Sequence, residues 1–373
     1  MEIKVNSKEL APRIDLVCKV INSKNALPIL SDILIEVKNL SMMLTASDSE
    51  MWLSVKCPVV ACDAETRFCV KATDFQTAIK NLDGADVCLA LNEEASTLTC
   101  NYGKGKFVLP YEKAEEFPTI NTDKEGETTK IIDGAKLLKA IELTGFATAS
   151  DELRPVMNGI HFDFFADGMV AATSDGHKLA RYKDATITGE EERSLTLPKK
   201  PATVLMPILN AIGEGGQIKL AFTDKAITVS NSNFRLIARL LDARYPNYEA
   251  VIPKNSPIRL EVGTNDLSQA LKRVLPMANG SSNLIELDIK KDNITIVAQD
   301  YDYSKSATET ISCACNADIK IGFEGGKLLD ILKNINDDKT VVELSEPNRA
   351  CLFYMLSVSK DTYLSLCMPM LTQ

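Results

Sequence analysis

Alternating apolar and polar positions mark three hairpins in this chain, recurring about 125 residues apart. The first runs from Ser31 to Asp48, the second from Asn158 to Asp175 and the third from Asn283 to Asp300. In the first, Ile33, Ile35 and Val37 alternate with Leu34, Glu36 and Lys38, the period-two pattern of a strand with one apolar and one mixed face. A polar turn follows, then a second strand ending at Ala46 to Asp48, Ala172 to Asp175 or Ala298 to Asp300. Helical spacing precedes the hairpins: Leu10, Ile14, Val17 and Ile21 share one face, as do Leu267, Leu271, Val274 and Leu275. Downstream of each hairpin a further strand, helix and hairpin are predicted, over 68–109, 195–240 and 319–356. A repeat this long is a duplicated domain, not a solenoid unit. The expected class is α+β: three tandem similar domains at 1–120, 129–245 and 254–373, each of two helix-plus-antiparallel-sheet halves.

Two polar, proline-bearing stretches separate the repeats, Pro110 to Glu127 and Asp242 to Pro257. Each carries an aromatic–proline pair, Phe117-Pro118 and Tyr245-Pro246. Proline holds the chain extended, which suits a connector laid against a domain edge.

Composition narrows the class. A chain of 373 residues with 45% hydrophobic content supports two or three cored domains. No apolar run approaches a membrane span, and the first residues lack the blocks of a signal peptide, so a cytoplasmic place and no membrane partner are expected. The ten cysteines are scattered without zinc-type spacing; Cys313 and Cys315 share one strand. Positions such as Cys18, Cys69 and Cys88 read as small core hydrophobes in a reducing compartment.

A search for reaction chemistry finds little. Of the two histidines, His161 lies in a predicted strand and reads as structural, while His177 follows Ser174, Asp175 and Gly176. Immediate neighbours rarely reach triad geometry. Asp175 also has counterparts in Asp48 and Asp300, where no histidine follows, so the aspartate is read as closing the hairpin. No catalytic residue, metal site or cofactor is expected.

Six local motifs add a whole-chain resemblance. They are Leu27-Pro28-Ile29-Leu30, Arg154-Pro155-Val156-Met157-Asn158-Gly159, Thr173-Ser174-Asp175-Gly176-His177-Lys178-Leu179, Tyr245-Pro246-Asn247-Tyr248, Ser345-Glu346-Pro347-Asn348-Arg349-Ala350 and Met368-Pro369-Met370. In order and spacing they resemble the bacterial sliding clamp, the beta subunit of DNA polymerase III, over the full length. The resemblance implies a ring-shaped, head-to-tail homodimer of the DNA clamp fold, with helices lining a hole that encloses duplex DNA irrespective of sequence. It implies a processivity factor of DNA replication, without catalysis, opened and closed by a separate clamp loader. The DNA polymerase III catalytic subunit, the loader and other proteins with clamp-binding motifs would be its partners.

The net charge of −9 argues at first against nucleic acid. A ring that encloses DNA need not grip it, and strong phosphate contacts would impede sliding. Predicted helices supply cations in every domain: Lys8, Arg13 and Lys19; Lys80; Lys136 and Lys139; Lys199 and Lys200; Lys272 and Arg273; Lys327 and Lys333. Any one of them alone reads more readily as an ordinary solvated lysine; the reading rests on their recurrence on helices in every domain, and Glu9, Asp15 and Glu142 share these helices. By resemblance, Lys24 and Arg154 are further DNA contacts. Some family members carry two tyrosines after that arginine; here Pro155 and Val156 stand there.

The resemblance also implies a pocket for partner peptides, at Ser174, Gly176, His177, Lys178, Leu179, Pro246, Val251, Asn348, Ala350, Leu366, Met368, Pro369 and Met370. Leucine, valine, proline and methionine suit an adaptable apolar slot; a fraying terminus is the alternative reading of Met-Pro-Met. The implied dimer interface joins Lys106, Phe107 and Val108 of one subunit to Leu271, Lys272, Val274, Leu275 and Met277 of the other. Burial of Phe107 in its own domain stays open from pattern alone. Two other readings remain: a scaffold that binds only proteins, and an enzyme using Asp175 and His177.

Overall fold

The computed structural model describes residues 1–120, 126–189 and 192–372. Residues 121–125 of the first predicted connector, and Gln373 at the end of the third expected domain, lie outside the described residues.

Six modules follow one another, each a strand, a helix and three strands. The first is β1 (Glu2–Asn6), α1 (Ser7–Cys18), β2 (Asp32–Lys38), β3 (Ser41–Ser47) and β4 (Met51–Pro58). A two-residue strand, β5 (Ala61–Cys62), precedes the second: β6 (Thr66–Lys71), α2 (Ala72–Lys80), β7 (Asp86–Asn92), β8 (Thr97–Tyr102) and β9 (Gly105–Lys113). The third is β10 (Thr128–Asp133), α3 (Gly134–Thr144), β11 (Gly159–Phe165), β12 (Gly168–Ser174) and β13 (Lys178–Asp184). The fourth is β14 (Arg193–Pro198), α4 (Lys199–Ile212), β15 (Gln217–Phe222), β16 (Ala226–Ser230) and β17 (Phe234–Arg239). The fifth is β18 (Ile258–Gly263), α5 (Thr264–Val274), β19 (Leu284–Ile289), β20 (Asn293–Asp300) and β21 (Lys305–Cys315). The sixth is β22 (Ile319–Glu324), α6 (Gly325–Lys333), β23 (Lys339–Leu344), β24 (Cys351–Met355) and β25 (Tyr363–Cys367).

The modules are interlocked in pairs. The first strand of each pairs with the first hairpin strand of the other: β1 with β7 and β6 with β2, β10 with β15 and β14 with β11, β18 with β23 and β22 with β19. All of these pairings are antiparallel, which allows hairpin connections and one solvated face.

The chain divides into two compact units, Met1–Ala135 with Thr203–Leu240, and Lys136–Ala202 with Leu241–Gln373. The first holds a sheet in the order β10-β15-β16-β17-β4-β3-β2-β6-β9-β8-β7-β1-β5. The second holds β14-β11-β12-β13-β25-β24-β23-β18-β21-β20-β19-β22. In the first sheet β17 joins β4, with Leu236 opposite Leu53. In the second β13 joins β25, with Leu179 opposite Leu366.

Helices cover one face of each sheet. In the first unit α1 packs on α2, burying Leu10, Ile14 and Val17; Asn6 caps α1 by accepting from Lys8 N. In the second unit α5 packs on α6, burying Leu267, Ala270, Leu271 and Val274. Two positions depart from the helical spacing. Ile21 lies beyond the end of α1 and is only partly buried, while Val20 is fully buried. Leu275 opens a 3-10 turn, Leu275–Met277, in which Pro276, with no backbone N–H to donate, cannot extend the α-helical hydrogen-bond ladder.

The outer sheet face of β2 also differs from expectation. Leu34 is buried, in a cluster with Ile29, Trp52, Cys69, Ala114 and Phe117. The first connector is the cover: Phe117 packs in this cluster and Trp52 Nε1 donates to Pro118 O at 3.2 Å.

All ten cysteines are free thiols; Cys69 is buried, Cys18 and Cys88 only partly so. Among the described residues no helix is long and apolar enough to cross a membrane, and no group of three or more His, Cys, Asp or Glu could hold a metal ion.

Candidate docking groove and charged helix faces

The segment Ser174 to Lys178 is a turn whose polar groups serve the backbone. Asp175 Oδ1 accepts from His177 N at 2.8 Å and Lys178 N at 2.7 Å. Ser174 Oγ donates to Lys178 O at 3.0 Å and accepts from Gly176 N at 3.1 Å. Asp48 does the same in the first repeat, accepting from Glu50 N at 3.0 Å and Met51 N at 2.9 Å. Between each aspartate and its strand one residue is left-handed, Gly176 at φ +89° and Ser49 at φ +76°. In the third repeat buried Asp300 instead accepts from Asp302 N at 3.2 Å. The Ser-Asp-His adjacency is thus a hairpin device, with no nucleophile–base pair in it.

Beside that turn lies an apolar floor. Leu179, Leu352, Leu364, Leu366 and Ala350 form one buried cluster, with Tyr248 and Ile252 packed against it. The strand period puts Leu179 and Arg181 of β13, Leu352 of β24, and Leu364 and Leu366 of β25 on this outward face. Tyr248 and Ile252 close over these leucines, which are buried; the exposed apolar side chains are neighbours of the cluster in sequence, Val251 at 56%, Met368 at 40% and Pro246. His177, Gly176 and Asn348 are exposed as well. Lys178 departs from its expected place in a ligand surface. Its side chain is buried, with Nζ 3.5 Å from Asp175 and 3.3 Å from Asp330.

The terminal Met-Pro-Met is fastened. Met368 N donates to His177 O at 2.7 Å, and Met370 N donates to Gly322 O at 2.8 Å as an antiparallel bridge to β22. A Cβ at Gly322 would lie 2.9 Å from Met370 O, so this close approach needs glycine.

The second connector is bound to the outer face of β11 and β14 by a polar cluster. His161 stacks on Tyr245 at 4.5 Å and 10°. His161 Nδ1 lies 3.0 Å from Thr196 Oγ1, and its Nε2 3.1 Å from Asp163 Oδ1. Asp163 also accepts from Ser194 Oγ and, on Oδ2, from the Tyr248 hydroxyl at 2.7 Å. Burial works against the Asp163 carboxylate, yet hydrogen bonds from His161, Ser194 and Tyr248 prevail and hold its pKa below the usual carboxylate value. The Tyr248 phenol is pushed up, first by burial and then by Asp163. Thr196, His161 and Asp163 have the spacing of a triad, but all three are buried; they fasten the connector. Sequence reasoning assigned only His161 a structural part. The missed signal is the polar alternation of His161 and Asp163 with Ile160, Phe162 and Phe164, matched by Ser194 and Thr196 across the ladder.

The expected DNA contacts differ in availability. Lys24, Lys80 and Lys272 are exposed and without a partner among the described residues. Lys136 donates to Thr186 Oγ1, and Lys139 sits 5.7 Å from the Tyr182 ring centre. Lys199 and Lys200 open α4 and have interactions of their own. Arg154 pairs with Asp151 at 2.9 Å, and a Cβ at Gly176 would meet its Nη1 at 3.1 Å. Arg273 is tied in a two-pronged pair to Glu309, with Nε 2.9 Å from Oε2. Its charge is largely answered within its own domain. Lys327 and Lys333 likewise pair with Glu324 and Asp330. A polar cleft of about 590 Å³ between α5 and the end of α6 is lined by Ser268, Lys272, Lys333 and Asp338, among others.

The expected interface divides the same way. Phe107 is 37% and Val108 53% exposed, and Lys106 is exposed; Phe107 stacks on Tyr102 at 5.1 Å. Phe107 is therefore not buried in its own domain. β9 pairs with β8 from Gly105 to Pro110 but with β6 only from Tyr111, leaving a half-strand of free edge. β21 is alike, paired with β20 over Lys305–Ser312 and with β18 only from Cys313. Leu271 at 0% and Val274 at 2% exposure face their own core and offer nothing to a neighbour. Leu275 is partly exposed and Met277 is 38% exposed, because the 3-10 turn carries them off the buried helix face.

Known proteins give the frame for this geometry. The DNA polymerase III beta subunit N-terminal, central and C-terminal domain models match residues 1–121, 130–247 and 249–371. The beta sliding clamp of Haemophilus influenzae is 24% identical over 375 residues, covering 99% of this chain and 100% of that protein. That of Staphylococcus aureus strain Mu50 is 27% identical over 354 residues, covering 92% of each. The solved Pseudomonas aeruginosa DnaN sliding clamp bound to griselimycin superposes with a TM-score of 0.93 over 100% of both chains, at 24% identity. With all three domain models matched in order along its length, the chain belongs to the DNA polymerase III beta subunit family.

Proposed function

We infer that this chain is a DNA sliding clamp, a processivity subunit with no catalysis of its own. Two copies close head to tail into a ring around duplex DNA and slide on it without reading sequence. The domains that build the ring run 1–120, 129–245 and 254–373, and the ring works in the cytoplasm. The free edge of β9, with Lys106, Phe107 and Val108, meets the fifth module of the second copy, where Leu275 and Met277 are the exposed partners. Pairing two open edges would remove a site of uncontrolled association. Lys24, Lys80, Lys136, Lys139, Arg154, Lys199, Lys200 and Lys272 make loose phosphate contacts; the pairing to Glu309 makes Arg273 the weakest member of the set. Lys199 and Lys200 stand at the positive end of the α4 dipole, which favours an anion there.

The groove over Leu179, Leu352, Leu364 and Leu366 takes hydrophobic peptide segments of the DNA polymerase III catalytic subunit, the clamp loader and other clamp-binding-motif proteins. Gly176, His177, Pro246, Val251, Asn348 and Met368 to Met370 form its rim. The observation that carries this reading is the fastened terminus: two backbone hydrogen bonds hold Met368 and Met370 beside an apolar floor. Griselimycin, the ligand of the Pseudomonas aeruginosa relative, is a suitable probe. Met368→Lys is expected to weaken its binding at least tenfold while the protein keeps twice the 40.9 kDa chain mass in solution. Unchanged binding would remove the groove from the account; dissociation to single chains would mean that groove and interface share a surface.

A further inference from the structure

We propose that Asp163 is a positioning residue for the docking groove, acting through the hydroxyl of Tyr248. The inference rests on the groove reading above and adds to it a device that sets the shape of one wall.

Tyr248 belongs to two environments at once. Its ring packs on the apolar floor of Leu179, Leu352, Leu364 and Leu366. Its hydroxyl donates to Asp163 Oδ2 at 2.7 Å, under the connector. The carboxylate is itself held from the far side by His161 Nε2 and Ser194 Oγ, both on Oδ1. Directly opposed positions on β11 and β14, Asp163 with Ser194 and His161 with Thr196, fix that side by ladder register. The acceptor therefore cannot drift, and a hydrogen bond to a charged, immobile acceptor gives the ring one position.

The short 3-10 turn that follows transmits the constraint. Tyr248–Val251 is one turn, begun by Asn247 Oδ1 accepting from Ala250 N at 3.3 Å. Arg181 Nε, on the outward face of β13, holds Glu249 at 2.7 Å. Val251, exposed at the rim, and Ile252, packed on the floor, complete the turn's contribution to the wall. Without the Tyr248 anchor the ring is held only by apolar contact, which has no direction, and Val251 loses its fixed place. A peptide would then have to order the wall as it binds, which lowers affinity.

The experiment measures griselimycin binding by calorimetry to the full-length protein and three variants. Tyr248→Phe deletes one oxygen and keeps the ring; the expected result is roughly five- to tenfold weaker binding. Ser194→Ala removes one of the two donors that hold Asp163 Oδ1 while His161 keeps the other, so the acceptor stays in place and binding is expected to weaken by no more than about twofold. If Asp163 served stability alone, both variants would lower the melting temperature and neither would change affinity; that outcome overturns the proposal. Met368→Lys separates the two levels. If it leaves binding intact, the groove reading fails and this inference falls with it. If it abolishes binding while Tyr248→Phe does nothing, only the positioning role is lost.

Discussion

The two connectors share one sequence signature and rest on opposite chemistry. Phe117-Pro118 lies on an apolar cluster around Leu34 and Trp52, with one side-chain hydrogen bond, from Trp52 to Pro118. Tyr245-Pro246 lies on the His161–Asp163 cluster: buried Tyr245 stacks on His161, and Tyr248 donates to Asp163, whose carboxylate His161 and Ser194 also hold. An apolar seat tolerates small shifts, because dispersion and burial are non-directional. A hydrogen-bonded seat costs more to build and fixes one geometry. The directional seat is found under the connector that borders the candidate groove; the forgiving one serves a connector to which no ligand surface is assigned.

The largest test of this contrast is on the apolar side. Phe117→Ala should lower the stability of the first unit by about 3–5 kcal/mol, the usual cost of removing a buried phenylalanine. The chain's single tryptophan, Trp52, lies in the same cluster, so its fluorescence in urea reads this loss directly. A loss below about 1 kcal/mol would mean that the cover is not a core element.

Acid sharpens the contrast, since each seat has a carboxylate shifted in the opposite direction. Asp32, buried near the first connector, is raised to about 6, by burial first and then by Glu112. A raised carboxylate penalises the ionised fold, so this penalty is present at pH 7 and fades as pH falls through about 6 towards the unfolded value. Asp163 is lowered, so its contribution is present above the unfolded value and is lost only as pH falls below it. Between pH 7 and pH 5 the first unit should gain stability from Asp32 while Asp163 contributes no change. Asp32→Asn should raise stability at pH 7 by about 1–2 kcal/mol and flatten that slope, read again by Trp52 fluorescence. A variant that is less stable at pH 7 would show that the ionised Asp32 has a favourable partner.

Much of this was legible in the chain. The period-two runs located the hairpins, the recurrence of Asp48 and Asp175 identified a turn device, and the aromatic–proline pairs identified the connectors, which were expected at a domain edge and lie instead on outer sheet faces. What escaped is non-local. Nothing in the spacing of β1 or β6 says that each pairs with the other module's hairpin, or that β17 continues onto β4. Leu34 sat on the face predicted to be mixed, and only the connector folding over it makes it core. Leu271 and Val274 satisfied a helical pattern that predicts burial as well as it predicts an interface, and burial is what the structure has. At the site, the resemblance brought together Leu179, Ala350 and Leu366 but not Leu352, Leu364 or Asp163. Those enter only through strand register and a connector distant in sequence.

The central claim is enclosure: the protein stays on DNA by topology rather than by adhesion. The most direct measurement is retention on nicked circular duplex after loading, before and after the circle is cut once. The account predicts a complex that survives moderate salt on the circle and is lost within minutes of linearisation, as the ring runs off the ends. Equal retention on circular and linear DNA, with a steep salt dependence on both, would contradict it and mark an adhesive binder.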